Sequence, residues 1–449
     1  YGQPHVTEEE RTHYFFLSPM EKQKLEHLHS VKSRIYFILQ LGYFKACHLF
    51  FVLDFHEVEE DVRYIQEHFF PEFQCPDLKI TKVTRLKQQQ LILELCQYQN
   101  CNAAQRQQLK RKARHAAQVS SKPIYIFREL VHYLEEQRVV PPGYSFMQDT
   151  IGEALTQEQN RLTALIRNHL QDSDRQALHL LLEDSSGLYE ITHLKHEPRD
   201  FRFGEIQREI RRGEQIRGLY DLASQVLPVL KISNESIKYY ASLVNYYSVY
   251  KLKRFAESIT DLYLLCFVYH RYQRIQDNLI ETLIHHVRRY TDITKSAAKE
   301  RIYESRLENN QNLSKAGLVL KLFADDRIAG DTPFREVQVQ AFAILERQNL
   351  ISLAEHIATN APFDEAAFQW EQTDKLARQF KQHLRPILLT VDLAGSASQD
   401  PVMEAIHFLK AAFRKGKPLG SFSSDRFPLR CIPDTVKRYL LVPGCKDLL

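Results

Sequence analysis

Hydrophobic side chains recur along most of the chain at intervals of three and four residues. Ile126, Leu130 and Leu134 mark one such stretch, and Ile237 with Ala241 marks another. Because an α-helix completes a turn every ~3.6 residues, this spacing places apolar side chains on one helix face. Only 14 glycines and 17 prolines interrupt the pattern, a composition that favours helices over sheets. The sequence therefore predicts an all-α, multi-domain helical protein.

Helix breakers and caps divide this pattern. Ser18 followed by Pro19 predicts a capped helix start. A long helix is expected from about Thr84 through the basic stretch that follows. Prolines and a glycine at 141–143 predict a turn, with a new helix starting near Ser145. A helix, a short turn and a second helix are the outline of a helix-turn-helix element, although any two tightly joined helices share it.

The chain is too long for one ordinary domain, and changes in composition suggest four parts. Residues 1–120 are predicted to form an N-terminal helical DNA-binding domain, and residues 121–218 a second one. Residues 219–414 are predicted to be a helical scaffold or dimerisation region. Residues 415–449, richer in Gly, Pro and Ser, are interpreted as a linker towards a catalytic core outside this chain.

Composition narrows the class of protein. Hydrophobic residues make up 44% and charged residues 26% of the chain, as in soluble globular proteins. No apolar run approaches the ~18–20 residues that span a membrane, so no membrane partner is expected. The seven cysteines are odd in number and include no C-x-x-C pair. This usage indicates a reducing, cytoplasmic location, and no metal site is predicted from it.

Positive charge is concentrated between residues 78 and 128. This segment has eleven basic residues and one acid, Glu94, for a net charge of +10; the remainder must carry −6 to give the total of +4. Such a concentrated field attracts polyanions, and nucleic acid is the first candidate. A solvated helix face is the alternative explanation of any such charge run.

Eight residues of this region are predicted to contact DNA. Arg106, Lys110 and Arg114 are spaced by four residues, so on a helix they form one stripe that could follow a phosphate backbone. The other predicted contacts are Arg111, Lys112, Lys122, Arg128 and Ser145.

Aromatic and basic residues elsewhere have competing interpretations. The arginines at 202, 208, 211, 212 and 217 could contact DNA, but ion pairs on helix faces explain them equally well. The tyrosines at 239, 240, 246, 247 and 250 are interpreted as core and half-buried positions rather than as a base-stacking surface.

Three candidate active-site features have simpler explanations. The run from His56 to Glu60 is not H-E-x-x-H, and it is explained as an acidic helix face. His285 and His286 are adjacent, so they diverge on a helix, and a solvated pair is expected. Asp392 has no partnering carboxylate pattern. No catalytic residue and no cofactor are assigned to this chain.

Several stretches, in the same order, resemble the N-terminal half of the replicative transposases of the Tn-three family. They cover the chain from Tyr14 to Leu440: Tyr14-Phe15-Phe16-Leu17-Ser18-Pro19, Arg34, Phe37 with Gln40-Leu41, Pro142 with Tyr144, Ile151 with Ala154-Leu155, Tyr239-Tyr240-Ala241, Tyr250-Lys251-Leu252-Lys253-Arg254, Leu262-Tyr263-Leu264-Leu265-Cys266-Phe267, His270-Arg271-Tyr272, Asp277-Asn278-Leu279-Ile280 and Val436-Lys437-Arg438-Tyr439-Leu440.

The resemblance implies a function for the whole chain. Members of that family recognise the terminal inverted repeats of their transposon with helical domains at the front, dimerise through a helical region, and cut DNA with a metal-dependent Asp-Asp-Glu core. No residue here matches that triad, so the core and its Mg²⁺ are expected beyond Leu449. The resemblance implies a homodimer that binds double-stranded DNA in the bacterial cytoplasm, without a small-molecule substrate.

Three alternatives stay open. The chain could be a truncated regulator that occupies transposon ends without cutting them. It could be a helical scaffold whose tyrosine-rich helices bind a protein partner, the basic stretch being a solvated surface. It could also be a nuclease with an unrecognised site.

Overall fold

A computed structural model describes residues 4–73, 75, 77–184, 187–359, 364–415, 428–434 and 436–437. Within these ranges there are eighteen α-helices and no β-strand, which confirms the predicted all-α class. Among the described helices, none is both long enough and apolar enough to cross a membrane.

In chain order the helices are α1 (Glu8–Tyr14), α2 (Pro19–Glu26), α3 (Val31–Cys47), α4 (Glu59–Phe69), α5 (Lys82–Cys96), α6 (Ala103–Val119), α7 (Pro123–Glu136), α8 (Tyr144–His169), α9 (Asp172–His179), α10 (Glu190–Lys195), α11 (Phe203–Leu230), α12 (Asn234–Tyr246), α13 (Val249–Leu252), α14 (Glu257–Leu322), α15 (Phe334–Ile344), α16 (Arg347–Thr359), α17 (Glu365–Thr390) and α18 (Asp400–Lys415).

The chain forms two compact units, each built from two stretches of sequence. Unit 1 consists of Tyr1–Ile191 with Leu219–His270, and unit 2 consists of Thr192–Gly218 with Arg271–Leu449. The four-part functional division stays a prediction. Most of its last part, 415–449, lies outside the described residues, as does most of the motif from Val436 to Leu440.

Helix α3 is the centre of the first hydrophobic core of unit 1. Ser30 caps it by accepting a hydrogen bond from the Ser33 N–H, and every side chain from Ile35 to Phe44 is buried. Helices α1, α4 and α5 pack around it. Gly42 is required here, because a Cβ at that position would lie 2.3 Å from the Phe15 ring. The all-round apolar sequence of α3 thus matches a helix surrounded by others.

Helices α6, α7 and α8 form a second packed group in unit 1, which we call the three-helix unit. Each of the three contacts the other two. Their shared core is built from Leu109 and three alanines of α6, from Ile126, Leu130 and Leu134 of α7, and from Met147, Ile151 and Ala154 of α8. The α7 positions are the ones whose spacing predicted this helix.

The single helix predicted from Thr84 through the basic stretch is wrong, because the chain breaks into α5 and α6. Gln97 takes a left-handed conformation with φ of 58° at the end of α5. Gln99 then donates its N–H to the Arg138 carbonyl and accepts from the Val140 N–H. Asn102 starts α6 with a capping box that includes Gln105. The break is held by these backbone bonds of Gln99 and by a side-chain hydrogen bond from Arg138 to Gln97, 41 residues away, which apolar spacing does not reveal.

Unit 2 contains a buried network of charged and polar groups. Glu209 accepts hydrogen bonds from Arg271 Nη2, Arg212 Nη1 and Asn278 Nδ2 at 2.9–3.0 Å. The Arg271 guanidinium also donates to the carbonyls of Leu194 and His196. Both charged side chains of the Glu209–Arg271 pair are almost fully buried. A buried charge is tolerated only when it is paired in this way.

Candidate nucleic-acid interface

Helix α6 is a basic helix whose sequence separates an apolar face from a cationic one. Leu109, Ala113, Ala116 and Ala117 are its buried residues, and the asparagine cap satisfies its first N–H groups. Five of the eight predicted DNA-contact residues lie on this helix. All five are at least partly exposed.

The predicted stripe of Arg106, Lys110 and Arg114 lies along α8. The Arg106 guanidinium carbon is 5.2 Å from the centre of the Phe146 ring. Lys110 Nζ is 2.8 Å from a Glu153 carboxylate oxygen, and Arg114 Nη2 is 3.7 Å from the other. The hydrogen bond from Lys110 lowers the pKa of Glu153. One carboxylate therefore offsets part of the charge of two predicted contacts.

Arg111, Lys112 and Arg128 lie outside this carboxylate's reach. All three are exposed. Lys112 Nζ is 5.2 Å from the centre of the Tyr133 ring on α7, a contact that leaves its charge intact. These three residues, like Arg106, are exposed cations that take part in none of the described ion pairs.

Lys122 and Ser145 stand at the starts of α7 and α8. Lys122 forms an ion pair of 3.0 Å with Glu235, which lowers the pKa of that carboxyl. Ser145 is exposed in the first turn of α8, whose N-cap, Gly143, provides no side-chain cap. The positive end of the dipole of this 26-residue helix, which lacks a side-chain cap from Gly143, therefore lies beside an exposed hydroxyl.

Further cations in unit 1 line a cavity of about 660 Å³ between the starts of α3 and α5. Lys32, Lys79 and Lys87 line it, together with His27 and His29. Lys32 forms an ion pair with Asp77, which lies in the segment between α4 and α5. The charge count included Lys79 and Lys87, but sequence reasoning missed that folding brings them beside Lys32. No spacing within one helix connects these residues.

The arginines of 202–217 are mostly paired in unit 2. Four of the five face an acid: Arg202–Asp200, Arg208–Glu205, Arg212–Glu209 and Arg217–Asp392. Arg211 is exposed. Of the two explanations offered for this stretch, ion pairing is therefore the one that these contacts support.

Two other positions singled out in the sequence also lie in unit 2. Asp392 accepts a hydrogen bond from the Tyr272 hydroxyl at 3.0 Å besides its pairing with Arg217. His285 is exposed, but the expectation of a solvated pair is wrong for His286, which is buried and stacks on His383. Among the described residues no three His, Cys, Asp or Glu side chains are grouped so as to hold a metal ion.

The N-terminal part of the chain matches a family model. Residues 1–154 match a family described as "Domain of unknown function (DUF4158)". The matched region includes α1 to α7 and the first turns of α8. It therefore contains all eight predicted DNA-contact residues. A search of curated proteins found no match.

Proposed function

We propose that the three-helix unit binds double-stranded DNA and that the chain is the DNA-recognition part of a transposase that binds terminal inverted repeats. The observation that carries this proposal is the set of exposed cations on α6 and α7, of which Arg111, Lys112 and Arg128 face no carboxylate of the described ion pairs. The match of residues 1–154 supports it, since a domain of that description is known in transposases of the Tn-three family.

Binding would divide the work between phosphate and base contacts. Arg111, Lys112 and Arg128 neutralise phosphates, and the positive N-terminal end of α8 with Ser145 holds another. Arg106, Lys110 and Arg114 join them when the duplex competes with Glu153 for the last two. With these six cations each neutralising one phosphate, the logarithm of the binding constant falls with the logarithm of the salt concentration with a slope of about −5.4. Helices α7 and α8 then act as the helix-turn-helix element, one of them in the major groove.

The test is a titration of the purified chain against a duplex of the transposon's terminal repeat and a scrambled duplex, across a salt series. A preference of about tenfold or more for the repeat that survives ~150 mM salt is expected. The variant R111E/R128E is expected to lose that binding, and Arg335→Glu, at an exposed position of α15, should retain it. If the chain binds both duplexes equally and salt abolishes that binding, specific recognition is rejected.

A helical interaction scaffold is the second candidate, and one observation favours it. An apolar groove of about 540 Å³ runs between the starts of α7 and α8, lined by Ile124, Phe127, Tyr144 and Ile151 among others. Exposed apolar grooves mark protein interfaces as well as ligand sites. No DNA binding at low salt, together with a stable protein complex lost in Ile124→Glu, would favour the scaffold.

Pairing of two DNA ends by a homodimer is part of the main proposal and is tested by the mass of the DNA complex.

A further inference from the structure

A group of aromatic and basic side chains lies exposed on unit 1 around the short helix α13. We call Tyr246, Tyr250, Lys251, Lys253 and Arg254 the aromatic–basic surface. Tyr246 is 82% exposed and Tyr250 is 72% exposed. The expectation that the tyrosines of this region are core or half-buried is therefore wrong for these two. Large rings left in water without a covering element call for an explanation.

The exposed rings are fixed to the core rather than carried on a loose loop. A series of ring contacts with centroid distances of 5.3–5.7 Å runs outwards from buried Tyr240 through Tyr263, Phe255 and Tyr247 to Tyr246.

Helix α13 itself is anchored from below. Ser248 caps it, Val249 and Leu252 are buried beneath it, and the Thr260 hydroxyl donates to the Leu252 carbonyl. Holding rings in place in advance lowers the entropy cost of stacking a ligand on them.

Each cation of the surface lies against an aromatic ring. The Arg254 guanidinium carbon is 5.6 Å from the centre of the Tyr250 ring. Lys251 Nζ is 5.3 Å from the Phe255 ring, and Lys253 Nζ is 5.4 Å from the Tyr189 ring. The segment 246–255 contains three cations and no acid. Positively charged side chains thus alternate with aromatic rings along this short segment.

We propose that this surface binds single-stranded DNA, with unpaired bases stacked on Tyr246 and Tyr250 and phosphates held by Lys251, Lys253 and Arg254. A base inside a duplex offers no face to a tyrosine ring, whereas unpaired bases stack on aromatic side chains with little sequence preference. The cations favour a ligand that is a polyanion, which an apolar protein partner is not. This binding goes beyond duplex recognition and uses none of the residues assigned to it.

The test compares tyrosine variants of the full chain for binding a fluorescent oligo(dT) of about 12 nucleotides. Y246A/Y250A is expected to weaken binding at least tenfold, because two stacking faces are lost. Y246F/Y250F, which keeps the rings and removes the hydroxyls, is expected to bind like the unaltered chain. Tyr303→Ala is the matched control, since Tyr303 is an exposed tyrosine of α14 in unit 2 at 69% exposure.

The cations are tested separately through salt. K251Q/K253Q/R254Q should reduce the salt slope for oligo(dT) by about 2, at ~0.7 per phosphate on a single strand. Ultraviolet crosslinking of bromodeoxyuridine-substituted oligo(dT), mapped by mass spectrometry, should label Tyr246 or Tyr250.

Several results would overturn the proposal. They are the absence of oligo(dT) binding, equal binding by Y246A/Y250A, and crosslinks confined to residues elsewhere. Preference for an acidic peptide over oligo(dT) would assign the surface to a protein partner instead, and preference for oligo(rU) would assign it to RNA. R111E/R128E separates the two sites: it should lose duplex binding and keep oligo(dT) binding, so either proposal can fail alone.

Discussion

Two arginine-rich stretches of this chain have similar compositions and different surroundings. On α6, Arg111 has Gln107 and Gln108 one turn before it, so no acid of its own helix reaches it. On α11, Arg208 follows Glu205 and Arg212 follows Glu209 by three residues, and both pairs form. The number of cations is therefore a poor guide to a DNA surface. An acid one turn away pairs the charge locally, and on α6, which has none, only a carboxylate from another helix such as Glu153 offsets it.

The largest effect expected from this comparison is on stability in unit 2. Glu209→Ala leaves Arg271 buried without its partner, and breaking such a pair costs about 3–5 kcal/mol. Thermal or denaturant unfolding measures the loss. Glu205→Ala removes a similar pair whose arginine is exposed, and should cost at most ~1 kcal/mol. Equal losses in the two variants would show that burial does not distinguish these pairs.

The next effect is on duplex affinity in unit 1. Arg111→Ala is expected to weaken binding on the order of tenfold, as for a charged hydrogen bond to phosphate. Lys110→Ala should weaken it less, because Lys110 already has a partner in Glu153. Glu153→Gln should strengthen binding several-fold by releasing Lys110 and Arg114. Fluorescence anisotropy at one fixed salt concentration measures all three, and weaker binding by Glu153→Gln would contradict the assigned surface.

A smaller effect concerns pH. Burial, with a lesser contribution from His383, lowers the pKa of His286, so its protonated form is disfavoured in the folded state. Neutral His286 makes its full contribution to stability above about pH 6.5, the pKa of histidine in the unfolded chain. That contribution is lost as the pH falls from there towards the lower pKa of the folded state. His286→Gln should reduce this pH dependence in thermal unfolding between about pH 7.5 and 5.5. His285→Gln, at the exposed neighbour, should leave it unchanged; the same profile in both variants would exclude His286 as its source.

The smallest expected effect separates the two arginine stretches by their contact with DNA. Arg111→Ala should reduce the magnitude of the duplex salt slope by about 0.9, the contribution of one phosphate contact. Arg211→Ala, at the exposed arginine of the paired stretch, should leave the slope unchanged. Neither variant should change the free energy of unfolding by more than ~0.5 kcal/mol, because both side chains are exposed. A reduced slope in Arg211→Ala would extend the DNA surface to unit 2.

The tyrosine-rich stretch shows where sequence patterns stop being informative. Tyr240 and Tyr246 lie six residues apart in similar surroundings along the chain, yet one is buried and the other is 82% exposed. Tyr240 lies on the apolar face of α12 and stacks on Tyr263 of α14, whereas Tyr246 is the last residue of its helix. Which of them is covered depends on α14, which helical spacing within α12 cannot place.

The sequence by itself determined the helical class, the capped start of α2, the core positions of α7 and the concentration of positive charge before residue 128. These properties depend on residues a few positions apart, which one turn of helix brings together. Tertiary structure alone decided the break between α5 and α6, the offset of Lys110 by Glu153, the burial of His286 and the exposure of Tyr246. Each of these depends on a partner distant in sequence, whose position is fixed only when the helices pack.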